Sequence, residues 1–134
     1  ALLPGRTLML DGGHNPDAGQ ALATTLKDSA LAEGGIDLVT GMLANKDVLG
    51  FLEPLRPLLR SIRSLPVPGH EHHGPGVFAS VAESWGLPHS AHGTIIEALT
   101  DLATKSDRED GTVLMAGTLY LAGQVLMAND QPPV

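Results

Sequence analysis

Short apolar runs alternate along the chain with amphipathic stretches of helical period. The apolar runs predict strands at Thr7–Asp11, Ile36–Gly41, Ser61–Val67 and Thr112–Gly117, with a shorter one around Pro88–Ala91. Strands that alternate with helices at this spacing are typical of βαβ units. We therefore predict a three-layer α/β fold, a Rossmann-like and mainly parallel sheet with helices on both faces.

Capping residues and prolines predict where the helices begin and end. Asn45 is predicted to cap a helix that Pro54 and Pro57 end early, because each proline lacks an amide donor. Thr94 and Glu97 form a Thr-x-x-Glu capping box at the start of a further helix. Periodicity alone predicts three more helices, namely Ala18–Ala32, one with Val77, Val81 and Trp85 on its inner face, and a last one lined by Leu119, Ala122 and Leu126.

The composition excludes several classes of partner. Residues 1–134 have the length of one ordinary domain, and 43% of them are apolar. The net charge of −7 argues against nucleic acid or an anionic membrane, since phosphate binding needs clustered Lys and Arg. The absence of cysteine excludes disulfides and thiolate metal sites. Without a signal peptide or an apolar run of about 18 residues, we expect a cytoplasmic domain cut from a longer chain.

The segment Asp11-Gly12-Gly13-His14-Asn15-Pro16 carries the most chemical information. It follows a predicted strand, and Asn15 and Pro16 suit the cap and first position of a helix. Ligands of open α/β sheets collect at the carboxyl ends of strands. There Asp11 can accept from ribose hydroxyls and His14 can donate to an anion, near the positive end of the helix. The alternative is that Asp11 only stabilises the turn and His14 is solvated.

Several enzyme signatures are absent from the chain. It has no Gly-x-x-x-x-Gly-Lys-Ser/Thr loop, no Gly-x-Gly-x-x-Gly and no Gly-x-Ser-x-Gly. A phosphoacceptor receiver would have a lysine after the last strand, where this chain has Thr118. The first motif is therefore interpreted as a polar half-site that needs groups from elsewhere.

Three ordered segments resemble signatures of the folate-adding branch of the Mur ligase superfamily, folylpolyglutamate synthase and dihydrofolate synthase. Asp11-Gly12-Gly13-His14-Asn15-Pro16 resembles its Asp-Gly-Ala-His-Asn-Pro motif. Gly41-Met42-Leu43-Ala44-Asn45-Lys46-Asp47 resembles Gly-Met-Leu-x-x-Lys-Asp, and Ala116-Gly117-Thr118-Leu119-Tyr120-Leu121-Ala122-Gly123 resembles Gly-Ser-Leu-Tyr-Leu-x-Gly. The resemblance covers nearly the whole chain but only the C-terminal domain of the family.

The resemblance implies ATP-dependent amide formation. In this family a carboxylate of dihydropteroate or of a folate is phosphorylated, and the amino group of L-glutamate attacks the acyl phosphate. The phosphate-binding loop and the Mg ligands belong to a preceding, covalently linked ATPase domain. The C-terminal domain closes over that site, which excludes water and completes the catalytic set.

Site residues carry over position by position. The resemblance implies that Asp11 contacts the nucleotide, that His14 faces the reacting centre, and that Thr118 lies near the incoming glutamate. Thr118 departs from the family serine but keeps the hydroxyl. The residues given supporting roles are Asn15, Lys46 and Asp47. The resemblance implies no metal site in this domain.

Other polar groups are given structural roles. The loop His70-Glu71-His72-His73 has zinc- or nickel-binding side chains, but flanking glycines and prolines leave them unpositioned, so we expect a solvated loop without metal. Arg56, Arg60 and Arg63 are interpreted as a solvated helix end rather than an interdomain patch. Gly5-Arg6 resembles a nucleotide-contacting Gly-Arg pair of the family, but lies too close to Asp11 to match it.

Two other functions remain open at this point. One is another Mur-type ligase, acting on peptidoglycan or a poly-amino acid. The other is a non-catalytic Rossmann-like binding module, which would be favoured if no P-loop preceded this segment in the intact protein.

Overall fold

A computed structural model describes residues 6–105 and 111–117 of the chain. These residues form one sheet with the strand order β1-β5-β2-β3-β4, in which every pairing is parallel. The strands are β1 (Thr7–Asp11), β2 (Ile36–Thr40), β3 (Leu59–Ser64), β4 (His89–Ala91) and β5 (Thr112–Ala116). The predicted parallel α/β sheet is thereby confirmed.

Helices connect the strands, as parallel pairing requires. They are α1 (Pro16–Lys27), α2 (Val48–Leu52), α3 (Pro75–Trp85) and α4 (Ile95–Lys105), with short 3-10 helices at Ala30–Ala32 and Glu53–Leu58. Among the described residues, none of these helices has the length and apolar character needed to cross a membrane.

The sheet separates two hydrophobic clusters. On one face, α1, α2 and α3 bury Leu38, Phe51 and Phe78 completely. On the other face, α4 packs Leu99 and Leu102 against the sheet. Strands β2 and β5 are buried along their whole length because helices cover both faces, and this explains their continuous apolar runs.

The second helix begins at a different cap from the one predicted, and it ends early as predicted. Asp47, rather than Asn45, caps α2, since its Oδ1 accepts from the Gly50 amide at 2.9 Å. The prolines end the helix early, as predicted, because the chain becomes a 3-10 helix at Glu53. Leu59, which follows Val48, Leu52 and Leu55 at helical spacing in the sequence, begins β3 instead. Tertiary pairing with β2 therefore overrides the apolar periodicity at this position.

Two other helices refine the predicted boundaries and faces. In α3, Val81 and Trp85 pack against the core as predicted, but Val77 is 40% exposed and Phe78 is fully buried in its place. At the start of α4, Thr94 Oγ1 accepts from the Glu97 amide at 3.2 Å, as a capping box requires. Glu97 itself accepts from the Gly93 amide at 2.8 Å. The predicted last helix, at Leu119–Leu126, lies outside the described residues.

Of the three arginines predicted at a solvated helix end, Arg56 lies there, exposed in the last turn of a 3-10 helix, whereas Arg60 and Arg63 belong instead to ion pairs. Arg60 lies on β3, where its Nε donates to Asp37 Oδ2 at 3.0 Å, and Arg6 binds the same oxygen. Arg63 Nε donates to Asp101 on α4 at 3.0 Å. Because Arg6 precedes β1, its guanidinium lies at the amino edge of the sheet, opposite Asp11. Arg56 stacks over the Trp85 ring, 5.3 Å from its centroid.

We expect Asp37→Asn to destabilise the chain in a pH-dependent manner. Burial alone would raise the pKa of Asp37, but hydrogen bonds from Arg60, Ser61 and Arg6 outweigh it and lower the pKa from 3.8 to about 2. The carboxylate therefore contributes stability above pH 4, and this contribution is lost as the pH falls toward 2. At pH 7 the loss should be about 3–5 kcal/mol, because two largely buried guanidinium groups lose their counterion.

Urea unfolding between pH 7 and pH 2 measures this effect. The gap between wild type and Asp37→Asn should close as the pH falls. The matched control is Asp28→Asn, an exposed position, which should stay within about 0.5 kcal/mol of wild type. An equal gap at both ends of the pH range would contradict the assigned role of the carboxylate.

Candidate functional site

The first motif forms a tight turn between β1 and α1. Asp11 ends β1, and its Oδ1 accepts from the Gly13 amide at 2.7 Å. Asn15 caps α1 as predicted, with its Oδ1 accepting from the Ala18 amide at 2.8 Å, and Pro16 begins the helix. The turn therefore places the Asp11 carboxylate next to the positive end of α1.

Each polar side chain of this turn keeps one group for a ligand. Asp11 uses Oδ1 in the turn, while its Oδ2 has no hydrogen bond with the part of the chain that the structure describes. His14 Nδ1 lies 3.1 Å from the Gly12 carbonyl. Since a carbonyl only accepts, Nδ1 carries the hydrogen and Nε2 is left to accept or exchange a proton. Both side chains are half-buried.

The second motif, Gly41–Asp47, lies beside the first motif, Asp11–Pro16, because α1 and α2 touch at a glycine. A Cβ on Gly19 would lie 2.2 Å from the Phe51 carbonyl oxygen, so only glycine permits this approach. Asp47 contributes the cap of α2, and the Lys46 carbonyl accepts from His73 Nε2 at 2.7 Å. Asp47 and Lys46 therefore help to fix the start of α2 and the neighbouring histidine loop.

The third motif is Ala116–Gly123, and its described residues, Ala116 and Gly117, join the other two motifs through the backbone. The Gly117 amide donates to the Gly13 carbonyl at 3.0 Å. Gly117 has a φ of 122°, and a Cβ there would lie 2.5 Å from the Gly41 carbonyl oxygen. Asp11 and Thr40 both pair with Ala116, so the three strands end level. The three motif loops therefore meet at one edge; Thr118 itself lies outside the described residues.

A shallow groove of about 270 Å³ runs from this edge along α1 and includes Asp11, Ala18 and Thr25. A carboxylate oxygen, an imidazole nitrogen and a helix amino end suit the hydroxyls and phosphates of a nucleotide. Within residues 6–105 and 111–117, no three His, Cys, Asp or Glu side chains are grouped so as to hold a metal ion. The described part of this edge thus offers hydrogen-bonding groups whose chemistry suits a nucleotide.

The histidine loop is positioned by backbone pairing with the second motif, although its flanking glycines and prolines predicted unpositioned side chains; His70 and Glu71 are exposed, as expected of a solvated loop. His72 forms an isolated antiparallel bridge with Leu43, and the His73 amide donates to the Met42 carbonyl at 2.9 Å. The Ala44 amide donates to the Glu71 carbonyl at 3.0 Å. Sequence reasoning missed this pairing because it joins segments almost 30 residues apart. The flanking glycines and prolines gave no signal for it.

Comparisons with known proteins agree with the motifs. No protein-family model matches the chain. A folylpolyglutamate synthase from Lacticaseibacillus casei is 29% identical over 118 residues, which are 88% of this chain and 26% of that protein. The chain therefore spans about a quarter of the length of this curated relative.

Solved structures share the fold. The Mycobacterium tuberculosis folylpolyglutamate synthase complexed with ADP and AMPPCP has a TM-score of 0.77 and 22% identity, covering 95% of this chain and 30% of that one. A Yersinia pestis bifunctional folylpolyglutamate synthase/dihydrofolate synthase complexed with AMPPNP and a Mn ion has a TM-score of 0.73 and 24% identity. The match covers 92% of this chain and 28% of that one. In sequence over most of its length, and in fold, the chain therefore matches part of a folylpolyglutamate synthase, which confirms the resemblance drawn from its three motifs.

Proposed function

We propose that the chain is the C-terminal domain of an ATP-dependent ligase that adds L-glutamate to dihydropteroate or to a folate. The observation that carries this proposal is the meeting of the three motif loops at one sheet edge, through Gly13, Gly41 and Gly117. The relatives are folylpolyglutamate synthases, and their solved structures hold adenine nucleotides. A cytoplasmic location, where ATP is available, is part of the proposal.

The residues of this chain act on the nucleotide and on the reacting centre. Asp11 Oδ2 accepts hydrogen bonds from nucleotide hydroxyls, and the amino end of α1 favours the negative charge of phosphates. His14 Nε2 faces the reacting carboxylate and holds or moves a proton there. The Thr118 hydroxyl contacts the incoming glutamate. Asn15 and Asp47 keep the starts of α1 and α2 in place through their caps.

The chemistry proceeds in two steps in the proposed enzyme. ATP, when bound, supplies the phosphoryl group: an oxygen of the acceptor carboxylate bonds to the terminal phosphorus and ADP leaves. The glutamate nitrogen then bonds to the acyl carbon, a proton leaves the nitrogen and inorganic phosphate departs. We place the Mg ligands in the preceding ATPase domain, and Lys46 at the surface that meets it. Closure of the two domains keeps water away from the acyl phosphate.

Glutamate incorporation by the full-length protein tests this function. With ATP and labelled L-glutamate, we expect label to enter dihydropteroate, a reduced folate, or both, and no label to enter without ATP. Thr118→Ser, which keeps the hydroxyl, should retain activity. Thr118→Val keeps the shape but removes the hydroxyl, so the KM for glutamate should rise or kcat should fall while the KM for ATP holds.

Failure with both acceptors would overturn the assignment. Incorporation into a peptidoglycan precursor instead would point to another Mur-type ligase. If Thr118→Val loses about 0.5–2 kcal/mol of stability but keeps its glutamate kinetics, the hydroxyl is only a helix cap.

A further inference from the structure

Two adjoining clefts lie at the far end of the same sheet edge, away from Asp11. One, of about 200 Å³, is lined by side chains from the ends of β3 and β4 and from the histidine loop, including Ser64, His72, His73 and His92. The other, of about 220 Å³, has a mainly apolar lining that includes Pro68, Ile95 and Ile96. The two clefts share Leu65, Pro66 and Gly93, so one ligand can span both.

The clefts are separate from the first motif. In the strand order, β3 and β4 lie three and four strands from β1. With neighbouring strands about 4.8 Å apart, this places them roughly 14–19 Å from Asp11. A ligand in the clefts therefore does not occupy the groove beside α1.

Two imidazoles of the first cleft, those of His72 and His73, each use one ring nitrogen in a hydrogen bond to a backbone carbonyl and leave the other for a ligand. His73 Nε2 donates to the Lys46 carbonyl at 2.7 Å, and His72 Nδ1 donates to the His70 carbonyl at 2.9 Å. These carbonyls fix which nitrogen carries the hydrogen in the neutral ring. The second nitrogen of each ring therefore carries a lone pair when the ring is neutral, and it donates a hydrogen bond when the ring is protonated and charged.

One helix amino end points to an anion in the first cleft. Pro75 begins α3 and lines this cleft, and the cap residue Gly74 has no side chain to bond the free amides. The helix has 11 residues, long enough for a positive end that favours negative charge. The amino end of α4, at the second cleft, is instead capped by Thr94 and by the Glu97 carboxylate.

We propose that the clefts bind a small organic carboxylate with an apolar body. Its carboxylate meets the imidazoles of His72 and His73, and its apolar body packs against Leu65, Pro66 and Ile96. Ile96 is 55% exposed, and such a ligand would cover it. The proposal does not depend on the proposed function, because it uses none of the motif side chains.

Binding of this ligand should depend on pH. A protonated imidazole attracts a carboxylate more strongly than a neutral one, so the affinity should rise as the pH falls. Other ionisable groups lie near the first cleft: His92 of its lining is 3.5 Å from Asp101, which binds Arg63 at 3.0 Å. Burial and the nearby His92 lower the pKa of His89. Glu71 and Lys46 lie on the adjoining loops. The Glu97 carboxylate accepts from the amide of Gly93, a residue that lines both clefts.

Benzoate binding to the 134-residue chain tests the proposal, with benzyl alcohol as the neutral probe of similar shape. Amide chemical shifts of Ser64, Leu65 and residues 91–93 should move saturably with benzoate, with a Kd on the order of 1–10 mM. At about pH 8 the Kd should be at least about fivefold higher than at about pH 5.5. Benzyl alcohol should bind more weakly than benzoate at the lower pH.

Variants separate the cleft from the rest of the surface. His72→Gln combined with His73→Gln should raise the Kd at least about fivefold, whereas His70→Gln, in the same loop but outside the lining, should leave it within about twofold. If the double variant does not fold, Ile96→Glu should weaken binding by repelling the anion, and Val77→Glu, exposed on α3, should not. Absence of saturable shifts, equal binding of the two probes, or a Kd that ignores pH would overturn the proposal.

Discussion

Gly19→Ala is expected to destabilise the chain by about 3 kcal/mol, the largest loss we foresee for a single methyl group. The added Cβ would lie 2.2 Å from the Phe51 carbonyl oxygen and 3.0 Å from its carbonyl carbon. These are backbone atoms, so the clash is relieved only by moving α2 away from α1. The unfolding midpoint in urea measures the loss.

Gly76→Ala is the matched control, since Gly76 is also a helical glycine. A Cβ added at Gly76 would meet no described atom within 4 Å, so alanine should cause no loss and can add up to about 1 kcal/mol through helix propensity. Similar losses for the two variants would show that propensity, and not the contact with Phe51, governs Gly19.

The second large effect concerns the first motif. In the full-length protein, Asp11→Asn and His14→Asn should each lower kcat/KM for glutamate addition by at least about 100-fold. Both asparagines can keep the turn: one still accepts from the Gly13 amide, and the other still donates to the Gly12 carbonyl. What they remove is the carboxylate charge and the Nε2 nitrogen, so stability should change by less than about 1 kcal/mol.

Asp17→Asn controls for the loss of a negative charge at the same helix end. Asp17 is exposed in the first turn of α1, and its charge should be worth only about 0.3–1 kcal/mol of stability, with little effect on turnover. If Asp11→Asn and His14→Asn both keep kcat/KM within about threefold of wild type, the first motif is a structural turn and the proposed roles fail.

Local rules explain why much of this fold follows from sequence. The Asn15 cap and the early end of α2 at its prolines depend on neighbouring residues alone, and both predictions are confirmed. Strands β2 and β5 were predicted from their continuous apolar runs, which are typical of parallel strands buried on both faces. Where two neighbouring residues could each cap a helix, the prediction was wrong. Asn45 and Asp47 are both good caps, and in the packed structure Asp47 caps α2.

The candidate site divides in the same way. Sequence motifs identified Asp11, His14 and the neighbouring turn, because their chemistry and spacing are local. Parallel strands also predict that the loops of Gly13, Gly41 and Gly117 lie at one sheet edge. That these loops touch through their backbones was not predictable, since it depends on strand order and on strands that end level. The ordering of the histidine loop by the second motif arose from the same long-range packing.

The alternating parallel α/β pattern, the first motif and its capped helix can be predicted from the chain alone, because they follow from periodicity and short-range hydrogen bonding. Which charges are buried and which loops touch depends on how the strands assemble. Arg6, Arg60 and Asp37 look like surface residues along the chain, and become a buried ion cluster because the amino ends of three strands come together. Burial makes such pairing obligatory, and burial is a property of the assembled sheet.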